Sequence, residues 1–180
     1  MRYTGPKARR VRRQGFNVYG SEKYDKILAK KSYPPGMQAA ANSGRKPKLS
    51  EYGKQLLEKQ KVCGMYGIND RKLRSIFTRS SLAKGQTDRM MRLLLERRLD
   101  NVVFRAGLAL TRLQSRQFVS HGIFKVNGKR EKTASFLVEA GDKITVRDQT
   151  KASPAFTTIT TSHERYVSPQ WLIVDMPSLA

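Results

Sequence analysis

This 180-residue chain lacks most of what chemistry at a site would need. It holds one cysteine, Cys63, two histidines, and only 14 acidic residues against 36 Lys and Arg. A single cysteine excludes an internal disulfide and a multi-cysteine zinc site, and makes a reducing cytoplasm the default compartment. No run approaches the ~18 apolar residues that a membrane-spanning helix needs, so no membrane partner is expected. The N-terminus is basic but carries neither an apolar run nor a small-residue cleavage site, which excludes a secretory signal. No paired carboxylates, nucleophile–base pair or metal-ligand cluster stands out. No catalytic residue, metal, cofactor or small-molecule substrate is therefore expected.

Positive charge is what the chain has in excess, a formal net of +22. So basic a chain repels itself and is compacted by an anionic partner. The charge is graded. Residues 1–48 carry 13 Lys and Arg against 2 acids, 49–97 carry 11 against 5, 98–148 carry 10 against 5, and 149–180 carry 2 against 2. Half the excess thus lies in an N-terminal extension of low apolar content. Such a segment is expected to order against a polyanion rather than fold by itself. Tyr3, Phe16, Tyr19, Tyr24 and Tyr33 are interleaved with its basic groups and could stack on bases.

From residue 50 the pattern turns helical. Ser50 suits an N-cap before Glu51, and Tyr52, Leu56, Cys63 and Tyr66 share a stripe, which makes Cys63 a core residue rather than a reactive thiol. Asn69 suits a second N-cap, with Leu73, Ile76 and Phe77 as the apolar side. Gly85 ends that helix and Thr87 opens a third, whose Met90, Met91, Leu93, Leu94 and Leu95 predict a central position. Asp100 caps a short helix through Phe104. Thr111 with Gln114 forms a capping box for the next helix, which ends at His121-Gly122. On it Arg112, Ser115 and Arg116 fall together as a polar face, open either to solvent or to RNA. Asn127-Gly128 between Ile123-Phe124-Lys125-Val126 and Lys129-Arg130 is a strong hairpin signal. Phe136–Val138, Ile144–Val146 and 171–174 read as further strands.

The stretch Arg98-Leu99-Asp100-Asn101-Val102-Val103-Phe104-Arg105 resembles the start of the RNA-binding domain of the small-subunit ribosomal protein S-four family. Thr111-Arg112, Gln114, Arg116-Gln117, Val119, His121-Gly122, Val126-Asn127-Gly128, Ser135-Phe136, Gly141-Asp142 and Ile144 extend the resemblance in family order. Similar domains occur on pseudouridine synthases, some aminoacyl-tRNA synthetases and a small ribosome-rescue protein. Outside that domain, Arg2-Tyr3-Thr4-Gly5-Pro6-Lys7, Tyr33-Pro34-Pro35-Gly36, Arg45-Lys46-Pro47, Ser50-Glu51-Tyr52, Tyr66-Gly67-Ile68, Trp171-Leu172 and Val174-Asp175 resemble the ribosomal protein. Too few residues remain for a catalytic domain. The alternative is a free rescue factor or RNA chaperone with the same domain.

The resemblance implies an α+β fold: a basic N-terminal extension over 1–48, a helical domain over 49–97 on which 166–180 returns to pack, and an inserted helix-helix-hairpin RNA-binding domain over 98–148. A connecting segment covers 149–165, and the small sheet should be mostly antiparallel. The function implied is that of a structural constituent of the small ribosomal subunit in the cytoplasm. Its partners would be a helical junction in the 5′ domain of small-subunit rRNA, neighbouring ribosomal proteins, and mRNA where it enters the subunit. The family binds early and helps nucleate assembly. Charge and resemblance together nominate three groups of RNA contacts. In the extension they are Arg2, Tyr3, Lys7, Arg9, Arg10, Arg12, Arg13, Tyr33, Arg45, Lys46 and Lys48. In the helical domain they are Lys54, Lys59, Lys61, Arg71 and Arg74. In the inserted domain they are Arg112, Gln114, Ser115, Arg116, Gln117, His121, Asn127, Lys129 and Arg130. His121 suits the helix C-terminus as well as it suits RNA.

Three departures from the family pattern stand out. Many bacterial members carry four N-terminal cysteines that hold zinc or an iron–sulfur cluster, and this chain has none there. Met37-Gln38-Ala39 follow Gly36 where many members have Gln and His. Members usually continue in a further helical tail, so contacts of that tail are expected to be missing or replaced.

Overall fold

A computed structural model describes residues 3–37, 48–151, 153, 154, 156, 159 and 166–175. The chain is α+β, as expected, and divides into two compact units, Met1–Ser75 and Ile76–Ala180. The division falls inside a helix.

The first unit holds α1 (Lys7–Gln14), α2 (Glu22–Lys30), α3 (Glu51–Met65) and the start of α4 (Asp70–Leu82). The extension folds more fully than its composition predicts. Val11, Val18 and Tyr19 are buried, and α1 packs on α2. Asn17 supplies the bonds that a short apolar segment lacks. Its Oδ1 accepts from the backbone N–H of Tyr19 and Gly20, and its Nδ2 donates to the Ser21 carbonyl and the Asp25 carboxylate. Val18 sits against α3 at Gly64, where a Cβ would lie 3.2 Å from Val18 Cγ2.

Ser50 caps α3, its Oγ accepting from Gly53 N at 3.2 Å. Asn69 Oδ1 likewise accepts from Lys72 N at the start of α4. Cys63 is buried as the helical stripe predicts, and that burial pushes its thiol pKa up. The ends of the stripes depart from expectation: Tyr52 is 72% and Phe77 55% exposed.

The second unit holds α5 (Thr87–Glu96), α6 (Leu99–Arg105), α7 (Arg112–His121), β1 (Phe124–Val126), β2 (Lys129–Arg130), β3 (Ile144–Val146) and the short α8 (Asp148–Lys151). The strands order as β2-β1-β3, both pairings antiparallel. Phe124 faces Val146, and Val126 faces Ile144. These side chains join Leu99, Val103, Val119, Phe156 and Ile159 in one core. Alternation along β1 puts Lys125 opposite Arg130 and Thr145, on the face away from that core. α6 packs on α7.

Three expectations change here. The segment 136–138 is not a strand of the sheet. It docks beside the start of α6, with Leu99 N donating to Phe136 O at 2.8 Å and Val138 N to Arg97 O at 2.9 Å. α5 is not central: only Leu95 is buried on it, and Leu93 is exposed. Residues 171–174 form no strand. Leu172 and Val174 pack on the core built from 99–159. Trp171 and Ile173, on the alternate positions, are exposed.

Candidate nucleic-acid interface

α7 begins and ends on local chemistry. Thr111 Oγ1 accepts from Gln114 N at 3.2 Å, and Gln114 Oε1 accepts from Leu110 N at 2.8 Å. Gln114 is thus committed to capping. At the other end Gly122 takes the left-handed conformation, φ +67°, that closes a helix. Arg130 reaches across from β2 and donates to the carbonyls of Gly122 and His121 at 3.0 and 2.8 Å. The hairpin strand is so tied to the exposed end of α7, bringing Lys129 and His121 into one neighbourhood. No acid lies within α7.

The arginines of α7 are held by a buried polar scaffold. Glu96 receives two bonds from Arg105, each 3.0 Å, and one from Asn101 Nδ2 at 2.6 Å. This fixes the Asn101 amide, whose Oδ1 then accepts from Arg112 Nε at 2.9 Å. The Arg112 guanidinium also lies over the Phe104 ring, 4.5 Å from its centroid. Beside it, Arg98 and Asp100 form a two-bond pair at 3.0 and 2.7 Å, with the two residues 3% and 5% exposed. Arg116 Nη1 stands 3.9 Å from the same carboxylate. Sequence reasoning does not assemble this scaffold as a group. Its signal lies in Arg98-Leu99-Asp100-Asn101, whose polar residues are buried.

Ser115 requires correction. It is fully buried and its hydroxyl donates to the Asp100 carbonyl, so it joins α7 to α6 rather than facing a partner. Helical spacing puts it beside Arg112 and Arg116, but those two are only half-buried, with Arg112 held on Asn101 and Phe104 and Arg116 beside the Asp100 carboxylate. Asn127 is also occupied. It adopts φ +49°, its Nδ2 donates to Asp142 Oδ1 at 2.8 Å, and its Oδ1 accepts from Lys143 N at 2.9 Å. Asp142 Oδ2 accepts from Glu139 N at 2.7 Å. These bonds, the Glu139 N–H first and the Asn127 amide second, hold the Asp142 carboxyl below its usual range. Asn127 therefore sets the hairpin tip that presents Lys129. Gln117, His121 and Lys129 are exposed. Lys125 is a candidate absent from the sequence expectations, although the period-two alternation of β1 marks it.

In the first unit, α1 gathers Lys7, Arg9, Arg10, Arg12 and Arg13 within eight residues. Arg12 Nε donates to Tyr33 O at 3.2 Å and Nη2 to Pro34 O at 3.1 Å, with the guanidinium 4.7 Å from the Tyr33 ring centroid. Arg10 lies 3.9 Å from the Tyr3 ring centroid. Tyr3 and Tyr33 are thus paired with arginines, while Tyr19 is buried and unavailable for stacking. The α3 lysines all have acidic neighbours: Lys54 pairs with Glu51, Lys59 with Asp70 and Lys61 with Glu58. Arg74 shares Asp70, whose carboxyl is held low chiefly by the Lys59 hydrogen bond. Arg71 and Lys48 are exposed. Arg2, Arg45 and Lys46 lie outside the described residues.

A basic helix docked on a three-stranded hairpin sheet, beside a buried Arg-Asp-Asn scaffold, is the arrangement of an RNA-binding module. Residues 97–144 match the S4 domain model, and residues 2–96 match that of the ribosomal protein S4/S9 N-terminal domain. A small ribosomal subunit protein uS4 from Borreliella burgdorferi is 46% identical over 143 residues, 79% of this chain and 67% of the relative. That of Borrelia hermsii is 48% identical over the same shares, and that of a Roseiflexus species 40% identical over 181 residues, 99% of this chain and 86% of the relative. The chain belongs to the ribosomal protein S4 family. That family is structural and non-enzymatic, and the match over 2–96 leaves no support for a free rescue factor.

Proposed function

We propose that the chain works as a structural, rRNA-binding constituent of the small ribosomal subunit. It binds a helical junction in the 5′ domain of small-subunit rRNA, and this binding nucleates assembly. In the mature subunit it lies near the channel through which mRNA enters, in the cytoplasm. Neighbouring ribosomal proteins are its other partners.

The observation that carries this reading is the acid-free α7, its Arg112 fixed by Asn101 and Phe104, next to a hairpin tip presenting Lys129. Arginines whose heads are fixed before binding lose less freedom on gripping phosphates. A-form RNA hides its base edges in a deep groove, so such a surface reads shape, 2′-hydroxyls and unpaired bases. A junction offers all three.

The basic surface predicts a steep salt dependence. If about 6–10 phosphates are neutralised, affinity for small-subunit rRNA falls roughly 10³–10⁵-fold between 50 and 200 mM salt. A flat titration contradicts the reading. An integral constituent also stays with small subunits during sedimentation in high salt, whereas a factor washes off.

A further inference from the structure

A depression of about 390 Å³ opens in the first unit between the start of α1 and the Tyr33–Gly36 turn, lined by Ala8, Arg9, Arg12, Pro35 and Gly36. We infer that it is a slot for one unpaired RNA base. This rests on the reading of the chain as an RNA binder, and it adds a contact that charge neutralisation alone does not supply.

The volume stands at the small end of pockets that hold organic ligands, roughly 300–1,000 Å³. The walls are a methyl group, a proline ring, a glycine and the stems of two arginines, so the interior is mainly apolar. Arg12 directs its Nε and Nη2 to the Tyr33 and Pro34 carbonyls rather than to a phosphate in the slot. A flat base suits apolar walls, and unpaired bases stack on aromatic rings or on arginine guanidinium planes; here the arginines Arg9 and Arg12 are the stacking partners among the lining residues.

The slot is formed before anything binds. Arg12 makes one wall, and the same side chain pins the opposite one: it donates to the Tyr33 and Pro34 carbonyls and stacks on Tyr33. Pro35 and Gly36 follow directly. Charge complementarity selects the occupant. α1 has five basic residues and no acid, so a nucleic-acid backbone is drawn to its surface, where a base can turn in and leave water.

The test compares the full-length chain with a short oligoadenylate and with an abasic ribose-phosphate strand of equal length and charge, at one salt concentration. The wild-type chain should prefer the base-bearing strand by about fivefold, the low end of the range for one stacked base, because the slot's lining holds no aromatic ring. Ala8→Leu fills the slot without altering charge, at a helical position that leucine tolerates. It should remove most of that preference and leave the affinity for the abasic strand unchanged. Pro35→Ala removes a wall instead, and should lower the preference in the same direction. Helical content measured by circular dichroism confirms that each variant is folded. Equal affinity of the wild type for both strands, or a preference moved by neither variant, overturns the slot. Failure to bind either strand overturns the RNA-binding reading instead.

Discussion

Asp100→Ala tests the scaffold beneath α7. The substitution leaves the Arg98 guanidinium buried, 3% exposed, with its two short bonds to Asp100 gone. An uncompensated buried charge of this kind costs about 3–5 kcal/mol, against the 0–1 kcal/mol of an exposed pair. Arg116, 3.9 Å away and more exposed, offers no replacement because it carries the same charge. For a unit of roughly 100 residues each kcal/mol moves the melting midpoint by about 4–8 °C, so the transition should fall by at least ~12 °C. The chain's one tryptophan gives the readout. Trp171 adjoins Leu172, which packs on this core, so its fluorescence follows unfolding of the second unit. The double variant Arg98→Met with Asp100→Leu removes both charges and should recover most of the loss. A loss below about 1 kcal/mol in Asp100→Ala, measured by urea unfolding, would refute the reasoning.

Other outcomes follow from the same geometry. Arg112→Ala with Arg116→Ala should weaken rRNA binding, and the salt slope should fall by about one for each phosphate no longer gripped. Ser115→Ala should destabilise the unit by about 1–3 kcal/mol and leave the affinity of the folded protein unchanged; a large binding defect in a folded Ser115→Ala chain would restore Ser115 to the interface. Gly122→Ala should cost about 1–2 kcal/mol by equilibrium unfolding, because φ is +67° there and the new methyl meets the Arg130 guanidinium. Asp142 has a folded pKa below its unfolded value near 3.8. Its clasp therefore contributes fully above about pH 5 and is lost as pH falls through the folded pKa. Asp142→Asn should flatten that part of the acid limb of the stability curve, and an unaltered limb would count against the clasp.

Local signals were the legible ones. Asn127-Gly128 announced the hairpin because the turn's backbone demands those residues, and Thr111 with Gln114 announced the start of α7 for a similar reason. Cys63 was legible as core from spacing alone. What failed depends on tertiary neighbours. Ser115 lies on the polar face of α7 by periodicity, yet the carbonyl that receives its hydroxyl belongs to Asp100 on α6, 15 residues earlier in the chain and adjacent only in the fold. Phe136–Val138 has strand composition but meets the backbone of Arg97 and Leu99 instead of a ladder. Composition understates the order of the extension because Val11 and Val18 are few in number. Their burial depends on the bonds of Asn17 and Arg12 to loop backbone, which composition does not reveal.

Footprinting of the purified full-length chain on small-subunit rRNA tests the central claim most directly. Strong protection confined to a helical junction of the 5′ domain, lost on substitution of Arg112 and Arg116, is the expected result. Uniform weak protection along the RNA, or protection unaffected by those substitutions, would contradict it.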